Sequence, residues 1–337
     1  MSLPKITIKE VAKRAGVSIA TVSRFLNKTP LKERNQKSVE EAVKELGYEP
    51  SLYARRLAGG KLDTFGVVIP GYEGIFYSFY ALEIIREIAA VLSAESIDLH
   101  LNVFWGKDNF KTSLIDGVLM ADIIGNEAQL QRLIKEEVPL VVLNKKIADY
   151  DVSWVAVNNF KGAYEAVEFL THHGHKLIAH LAGDPRVQCS EERLEGYKSA
   201  LDKNGIKVQE NFIKVTNFSR KEARESLKEL FSLKEVPSAV FCCSDEVASE
   251  VLSFAEERKI KVPEDLSVIG FDDNPHCLYG NLMLTTVRQP LKEMVHQGVR
   301  ILKERFEGNA PSQKVVLDTE FIIRDTVGFC RDTRPKG

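Results

Sequence analysis

From Ile8 to Leu46 apolar residues recur at intervals of three and four, and from Phe65 onward the chain changes to short, nearly continuous apolar runs. The first pattern predicts three short helices. Ile8, Val11, Ala12 and Ala15 fall at i, i+3, i+4, i+7 spacing and form one apolar stripe. Thr7 stands where it can cap that helix, with Glu10 three residues on to reach back in a capping box. Gly16 suits the left-handed position that ends a helix, and Ser18 is a good N-cap for a second helix through Leu26. A third, roughly Glu33 to Leu46, buries Val39, Ala42, Val43 and Leu46 and stops at Gly47. Two short helices across a glycine-containing turn, closed by a third, make a helix-turn-helix. A generic three-helix bundle shares the same periodicity.

On the second helix Val22, Phe25 and Leu26 face inward, while Ile19, Ala20, Ser23, Arg24 and Asn27 face outward. If that helix enters the major groove with its N-terminal residues first, Arg24 is the strongest base reader, because its planar fork matches guanine's two acceptors. Ile19 and Ala20 offer apolar contact, for instance to a thymine methyl. Thr21, Ser23 and Asn27 fit phosphate contacts that fix register. Charge sharpens this picture. The chain carries a net charge of −2, yet residues 1–62 hold 13 Lys+Arg against 6 Asp+Glu, and the remaining 275 residues hold 33 against 42. A basic end on an acidic body is what results when one end alone meets phosphate, although a solvated basic surface would look alike.

The second pattern reads FGVVIP, DGVLMA, PLVVLN, LIAHLAG, SAVFCC and LSVIGF, with helical periodicity between several of the runs. Nearly continuous apolar strands bounded by turns indicate parallel sheets covered on both faces. No GxGxxG opens a helix and no phosphate-binding P-loop is present, so nucleotide chemistry has no anchor. Ligands of such sheets bind beyond the carboxyl ends of the strands. The residues there are Phe76 and Tyr77, Asn144, Asp184, Ser244 and Asp245, and Asp272 and Asp273, with Arg193 at the start of a following helix. Carboxylates, an arginine and aromatic rings on one crevice suit a hydroxylated or otherwise polar small ligand. Each taken singly also fits a loop cap or surface pair, and for Asp184 and Asp273 N-capping of the next helix is the expected role.

The segment ITIKEVAKRAGVSIATVSRFLN, with the spacing to LGYEPSLYARRLAGG, closely resembles the DNA-binding headpiece of the LacI–GalR family of bacterial repressors over nearly all of residues 6–60. The resemblance implies that Thr7, Ser18, Ile19, Ala20, Thr21, Ser23, Arg24, Asn27, Tyr48, Ala54 and Leu57 meet DNA, with Ile19, Ala20 and Arg24 reading bases. It also implies that Pro50–Ala58 forms a hinge helix on operator DNA, with Leu57 wedged into the minor groove. Two hinges meeting at one step imply a homodimer on a near-palindromic duplex. Lys32 departs from the family, which usually has a capping Ser or Asp there, so fraying of the third helix's first turn is expected.

GHKLIAHLAGDP, ERLEGYKSAL, SAVFCCSDEVA, DLSVIGFDDNP and LTTVRQP resemble, in order, the family's sensor core, which is similar to a periplasmic sugar-binding protein. The implied fold class is α/β: an N-terminal three-helix headpiece (1–49), a hinge (50–62), and a two-lobed core with parallel sheets (63–337). The N-lobe spans about 63–157 and 290–319, the C-lobe about 158–289 and 320–337, and the crossovers fall near 158–159, 288–290 and 318–322. The effector set implied is Phe76, Tyr77, Asn144, Arg193, Phe218, Ser244, Asp245 and Asp272. At Ser244 the family more often has Asn. Between LHLNVFWG and DGVLMA only nine residues, KDNFKTSLI, intervene where the family usually places a helix, so an exposed sheet or a new contact surface is expected.

Other chemistries find less support. Cys189, Cys242, Cys243, Cys277 and Cys330 form no CxxC pair and an odd count, which fits buried thiols in a reducing compartment. His172, His173 and His175 lack a carboxylate at ligand spacing, so no metal is expected and His175 reads as structural. Asp272 and Asp273, adjacent at a strand end, point to opposite faces and cannot flank one glycosidic bond. No cofactor and no enzymatic activity are expected. No run approaches the ~18 apolar residues of a membrane span, and the N-terminus lacks a signal-peptide pattern, so a cytoplasmic protein without membrane partner is expected. A transport binding protein, or a regulator answering to a nucleobase or protein partner, are the competing readings.

Overall fold

The computed structural model describes residues 6–26, 29–48, 61–71, 75–279, 281–308 and 310–331. Asn27, Ala54 and Leu57, and the side chain of Tyr77, lie outside that description. In the headpiece, helices α1 (Ile8–Ala15), α2 (Ile19–Leu26) and α3 (Glu33–Leu46) enclose Val11, Ala12, Val22, Val39 and Ala42. Gly16 and Gly47 both adopt positive φ, at 64° and 57°. After each, the next N–H reaches back to the helix, Val17 to the Ala12 carbonyl and Tyr48 to that of Val43, each at 3.1 Å. This reach-back folds the following apolar side chain onto the core. Tyr48, which the resemblance assigned to DNA, is therefore only 7% exposed and belongs to the headpiece core. Lys32 supplies no side-chain cap, but its carbonyl accepts from Asn35 at 2.8 Å and Gln36 at 3.1 Å, so the first turn of α3 forms on backbone bonds.

The remainder holds two parallel sheets. The first has the order β11-β5-β4-β3-β1-β2, from strands β1 (Thr64–Pro70), β2 (Asp98–Phe104), β3 (Gly117–Ala121), β4 (Leu140–Leu143), β5 (Ser153–Val157) and β11 (Lys314–Leu317). The second has the order β7-β6-β8-β9, from β6 (Ile178–Ala182), β7 (Ile213–Val215), β8 (Ala239–Cys242) and β9 (Ser267–Ile269). Beside it β10 (Thr286–Arg288) and β12 (Glu320–Ile322) form an antiparallel ribbon. The chain passes from one sheet to the other after β5, between β10 and helix α10 (Leu291–Gly308), and between β11 and β12.

Alternate residues of each strand serve opposite faces, as the pleat requires. In the first sheet Val67, Leu119, Val141 and Val155 pack under α4 (Phe79–Ala94) and α10, while Val68, Met120, Val142 and Trp154 pack under α5 (Glu127–Lys135). In the second, Ala179, Val240 and Val268 meet α8 (Arg220–Leu230) and α9 (Asp245–Glu257), while Ile178, Phe241 and Ile269 meet α6 (Asn159–His172) and α7 (Gln188–Lys203).

The short connection from β2 to β3 carries only a 3-10 turn, Thr112–Leu114. The sheet beside it is not left bare. Phe110 and Ile115 are 4% and 2% exposed and fill that face, and a Cβ on Gly66 would lie 2.4 Å from the Phe110 ring. Arg132 of α5 clasps the loop through Asp108 at 2.6 Å and the Phe110 carbonyl at 3.1 Å. On this side of the sheet the exposed large apolar residues lie on the edge strand β2 and its end, at Leu101 (37%) and Trp105 (61%), among the described residues.

Candidate effector cleft and DNA-facing helix

Between the two sheets' carboxyl ends lies a cavity of about 940 Å³, within the usual range for small-molecule sites. Asn144, which follows β4, lines it, as do Arg193 on α7, Phe218 after β7, Ser244 at the start of α9, and Asp272 after β9. Two short-range latches cross the cleft. Glu246 of α9 accepts from the Phe79 N–H at the start of α4 (3.0 Å). Lys146 meets Glu192 through its ammonium (2.8 Å) and the side-chain carbonyl of Gln188 through its backbone N–H (2.7 Å).

Arg193 is held from three sides. It donates to Asn159 Oδ1 at 3.0 Å and to the Cys243 carbonyl, and its guanidinium lies 3.7 Å over the Phe271 ring. That fixation leaves one face of the fork for a ligand. Asp272 accepts from Gln289 Nε2 at 2.6 Å. Burial pushes the Asp272 carboxyl well up, against the pull of Arg193. Four of the cavity residues, Asp122, Asn144, Phe218 and Asp272, have positive φ, at 73°, 62°, 59° and 131°, as do some residues away from it such as Ser96 and Lys259. For a bulky residue such as Phe218 this is uncommon, and such outliers cluster at ligand clamps.

Three expected residues sit elsewhere or carry a second duty. Phe76 is 50% exposed and does not line the cavity; Phe79 and Tyr80, one turn further on, do. Asp245 is buried away from this cavity and is spent on structure, accepting from Asn274 N–H at 2.7 Å and Thr286 Oγ1 at 2.5 Å. Ser244 does line the cavity, but its hydroxyl also caps α9 through the Val247 N–H at 3.3 Å. Nor do Asp184 and Asp273 cap helices. Asp184 grips Arg186, and Asp273 pairs with Arg288 at 2.7 Å and Arg324 at 2.6 Å. Asp272 and Asp273 do take different partners, but β9 ends at Ile269 and both residues have positive φ (131° and 58°), so a turn and not the pleat of a strand sets them apart.

Asp122 and Gln289 are among the wall residues that escaped the sequence reading. Asp122 follows β3 and is buried at the cavity wall, and burial pushes its carboxyl up to about 6, partly offset by the Ile123 N–H, Lys145 and the Asn144 amide. Gln289 stands in the crossover after β10 and reaches back to Asp272. A signal for Asp122 was available: it directly follows DGVLMA, just as Asn144 ends PLVVLN.

On α2, Ile19 is 45% exposed and Ala20 and Arg24 are exposed, so the outward face is free of core duty. Arg24 donates to the Pro30 carbonyl at 3.2 Å. The Ser18 hydroxyl accepts from the Thr21 N–H at 3.1 Å and lies 2.9 Å from its hydroxyl, which makes Ser18 the N-cap. Ser23 is half-buried on the same helix, and exposed Thr7 is bound to Glu10, its N–H at 2.7 Å and its hydroxyl at 3.0 Å from one carboxylate oxygen. The histidine-rich turn is structural: His175 is buried between Ser238 Oγ (2.9 Å) and the Gly328 carbonyl (3.0 Å). Among the described residues no cluster of metal-ligating side chains occurs, and no helix is long and apolar enough to cross a membrane.

A helix-turn-helix carried by a two-lobed, cleft-bearing α/β core defines a DNA-binding transcriptional regulator with its own ligand-binding domain. Residues 7–51 match the family described as bacterial regulatory proteins, lacI family, and residues 167–327 match a periplasmic binding protein-like domain. The chain is 32% identical to the probable HTH-type transcriptional repressor ExuR of Bacillus subtilis (strain 168), over 96% of this chain and 98% of that one. It is 33% identical to the HTH-type transcriptional repressor CytR of Escherichia coli (strain K12), over 94% and 95% of the two chains. Among solved structures it is similar to the transcriptional regulator CelR in complex with cellobiose, with a TM-score of 0.71 and 26% identity over 96% of this chain and 100% of that one. It shares its fold with the lac repressor dimer bound to operator and the anti-inducer ONPF, with a TM-score of 0.84 at 22% identity over 96% and 100% of the chains. The chain belongs to the LacI family of bacterial transcriptional regulators.

Proposed function

We propose that this regulator is a cytoplasmic repressor that binds a near-palindromic operator as a homodimer and changes operator affinity when a small polar effector, a sugar or sugar derivative, enters the cleft. The observation that carries the effector half is the convergence of Arg193, Asp272, Asn144 and Gln289 on one cavity bridged by both lobes. The likeness to a regulator solved with cellobiose and to a repressor solved on its operator supports the same reading. The domain division is proposed as headpiece 1–49, hinge 50–62 and core 63–337, with Leu57 as the minor-groove wedge. A thermal-shift screen of the full chain against monosaccharides, disaccharides, sugar phosphates and nucleobases tests the effector. Saturable stabilisation by one class supports the reading, and silence across the panel removes small polar ligands from it.

On the DNA side, Ile19, Ala20 and Arg24 are proposed to read bases, with Thr7, Ser18, Thr21, Ser23 and Asn27 holding phosphates. Arg24→Ala is expected to cost about 1–3 kcal/mol on the preferred duplex and to relax sequence choice at one position. Leu57→Ala is expected to weaken specific binding more than non-specific binding, because the wedge acts only where the duplex is kinked. Competition binding on specific and random duplexes checks both. Equal losses on the two kinds of DNA would remove these residues from their assigned roles.

A further inference from the structure

Arg193 and Asp272 share a feature that the cavity wall alone does not explain: each is bonded to a crossover between the lobes. Asp272 accepts from Gln289 in the second crossover, and Arg193 donates its Nε–H to Asn159 Oδ1 at 3.0 Å, at the end of the first. Asn159 is 2% exposed and stands behind Arg193, outside the residues that line the cavity, so a ligand does not touch it. Its side-chain nitrogen donates to the Val157 carbonyl at 3.2 Å, and Val157 is the last residue of the N-lobe strand β5. One side chain thus holds an effector-facing guanidinium at one end and the N-lobe at the other. The backbone it spans is a single residue, Asn158, whose φ of −78° and ψ of 72° belong to neither helix nor strand. Lobe rotations are absorbed at such element ends, so a turn at Asn158 strains the amide that bridges it.

The other two crossovers are packed onto the same turn of chain. Asn158 donates through its backbone N–H to the Leu317 carbonyl at 2.8 Å and through Nδ2 to Asp318 Oδ1 at 3.0 Å. Gly162, one turn along α6, has no room for a side chain. A Cβ there would lie 2.6 Å from Thr319 Oγ1, 2.9 Å from Val287 Cγ1 and 3.3 Å from the Phe271 ring. Thr319 belongs to the third crossover, Val287 leads into the second, and Phe271 carries the Arg193 guanidinium. Close-packed contacts of this kind shift between discrete arrangements and do not deform continuously, so a change at Arg193 reaches the three crossovers together.

We propose that Asn159 is a positioning residue that relays occupation of the cleft to the lobe hinge: it fixes the Arg193 fork and, through the Val157 carbonyl, the angle of the first crossover. The relay rests on the effector reading above. Its loss uncouples the cleft from the DNA-binding end without removing either site.

The test is the operator affinity of the full chain with and without saturating sugar, read by anisotropy on the duplex the chain selects. The sugar is the tightest binder among glucose, galactose, mannose, glucosamine, glucuronate, glucose 6-phosphate, cellobiose and maltose. Asn159→Ala removes both bonds. Asn159→Asp keeps an acceptor for Arg193 but offers Val157 no donor, because a carboxylate beside a guanidinium stays ionised. In both variants the sugar-induced shift in operator affinity is expected to shrink at least about threefold, with sugar-free operator affinity held within about threefold. Sugar affinity is expected to fall up to about tenfold in Asn159→Ala, the worth of one hydrogen bond, and to stay within about threefold in Asn159→Asp. A purely structural role would lower the unfolding midpoint and leave the ratio of the two operator affinities unchanged. An unchanged ratio in either folded variant, or sugar binding lost from both, would overturn the relay while leaving the effector cleft standing. Silence of every sugar would overturn the effector reading and the relay together.

Discussion

Replacing Arg193 by alanine is expected to abolish the effector response and to lower effector affinity by at least about 100-fold, with operator binding retained. Hydrogen bonds to charged groups contribute about 1.5–3 kcal/mol each, and a fork aimed at a ligand makes two, so a loss of that size follows. The same truncation strands the Asn159 oxygen and the Cys243 carbonyl and uncovers the Phe271 ring. Some loss of core stability therefore accompanies the lost response. Arg193→Lys separates the two contributions: it keeps the charge but not the planar fork, so binding should still fall steeply. Effector titration and operator anisotropy on both variants check this. A normal response in the alanine variant would remove Arg193 from the site.

The second large effect runs toward stability. Asp122 has an ordinary carboxyl value of 3.8 that burial raises to about 6 in the folded chain. The folded state therefore holds its proton over a range in which the unfolded chain has released it. Stability contributed by this group is complete below about pH 4 and is lost as pH rises through about 6. At pH 7 the loss amounts to about 3 kcal/mol, because each tenfold difference in proton affinity between the folded and unfolded chains is worth about 1.36 kcal/mol. Asp122→Asn is expected to recover up to that amount at pH 7 and almost nothing near pH 4, as read by unfolding of the ligand-free protein at both values. An equal change at both pH values would point to packing instead. The groups that face this carboxyl are Lys145, Arg193, the Asn144 amide and the Cys189 thiol. Ammonium, guanidinium, amide and thiol groups do not ordinarily change charge between pH 4 and about 7, so the interval belongs to Asp122. Effector hydroxyls donating to the ionised form should make affinity rise over the same interval. A stability cost carried at a binding residue and relieved by ligand is the expected trade.

Much of this was legible in the chain, for reasons that differ by region. The headpiece helices were readable because caps, glycine stops and 3.6-residue periodicity all agree there, from Thr7 and Gly16 to Gly47. Six strands were visible because they are covered on both faces and so contain few polar residues. The edge strand β2 mixes Asp98, His100 and Asn102 with its apolar residues, and β10 and β12 span three residues each, too short for any periodicity. In the site, Arg193, Asn144, Phe218, Ser244 and Asp272 come together as the resemblance implied.

The misses share a cause. Phe76 and Phe79 differ by one turn of chain, and the carboxylates Asp245 and Asp272 differ in which buried donors lie behind them. Neither distinction is local, since the donors come from Thr286 and Gln289, some 41 and 17 residues away. Tyr48 was misplaced because the backbone reversal at Gly47 turns a ring with a polar tip onto the core. In the shortened N-lobe segment, Phe110 substitutes for a helix, and its partner is the space over Gly66, visible only once the strands are laid side by side.

The most direct test of the whole account is the affinity of the full chain for the duplex it selects from a random library, measured with and without the sugar that binds the cleft. Expected are a near-palindromic duplex, a shift of about 5- to 150-fold on adding the sugar, and no shift in Arg193→Ala. Equal affinity for selected and random duplexes, or an affinity that the bound sugar leaves unchanged, would contradict it.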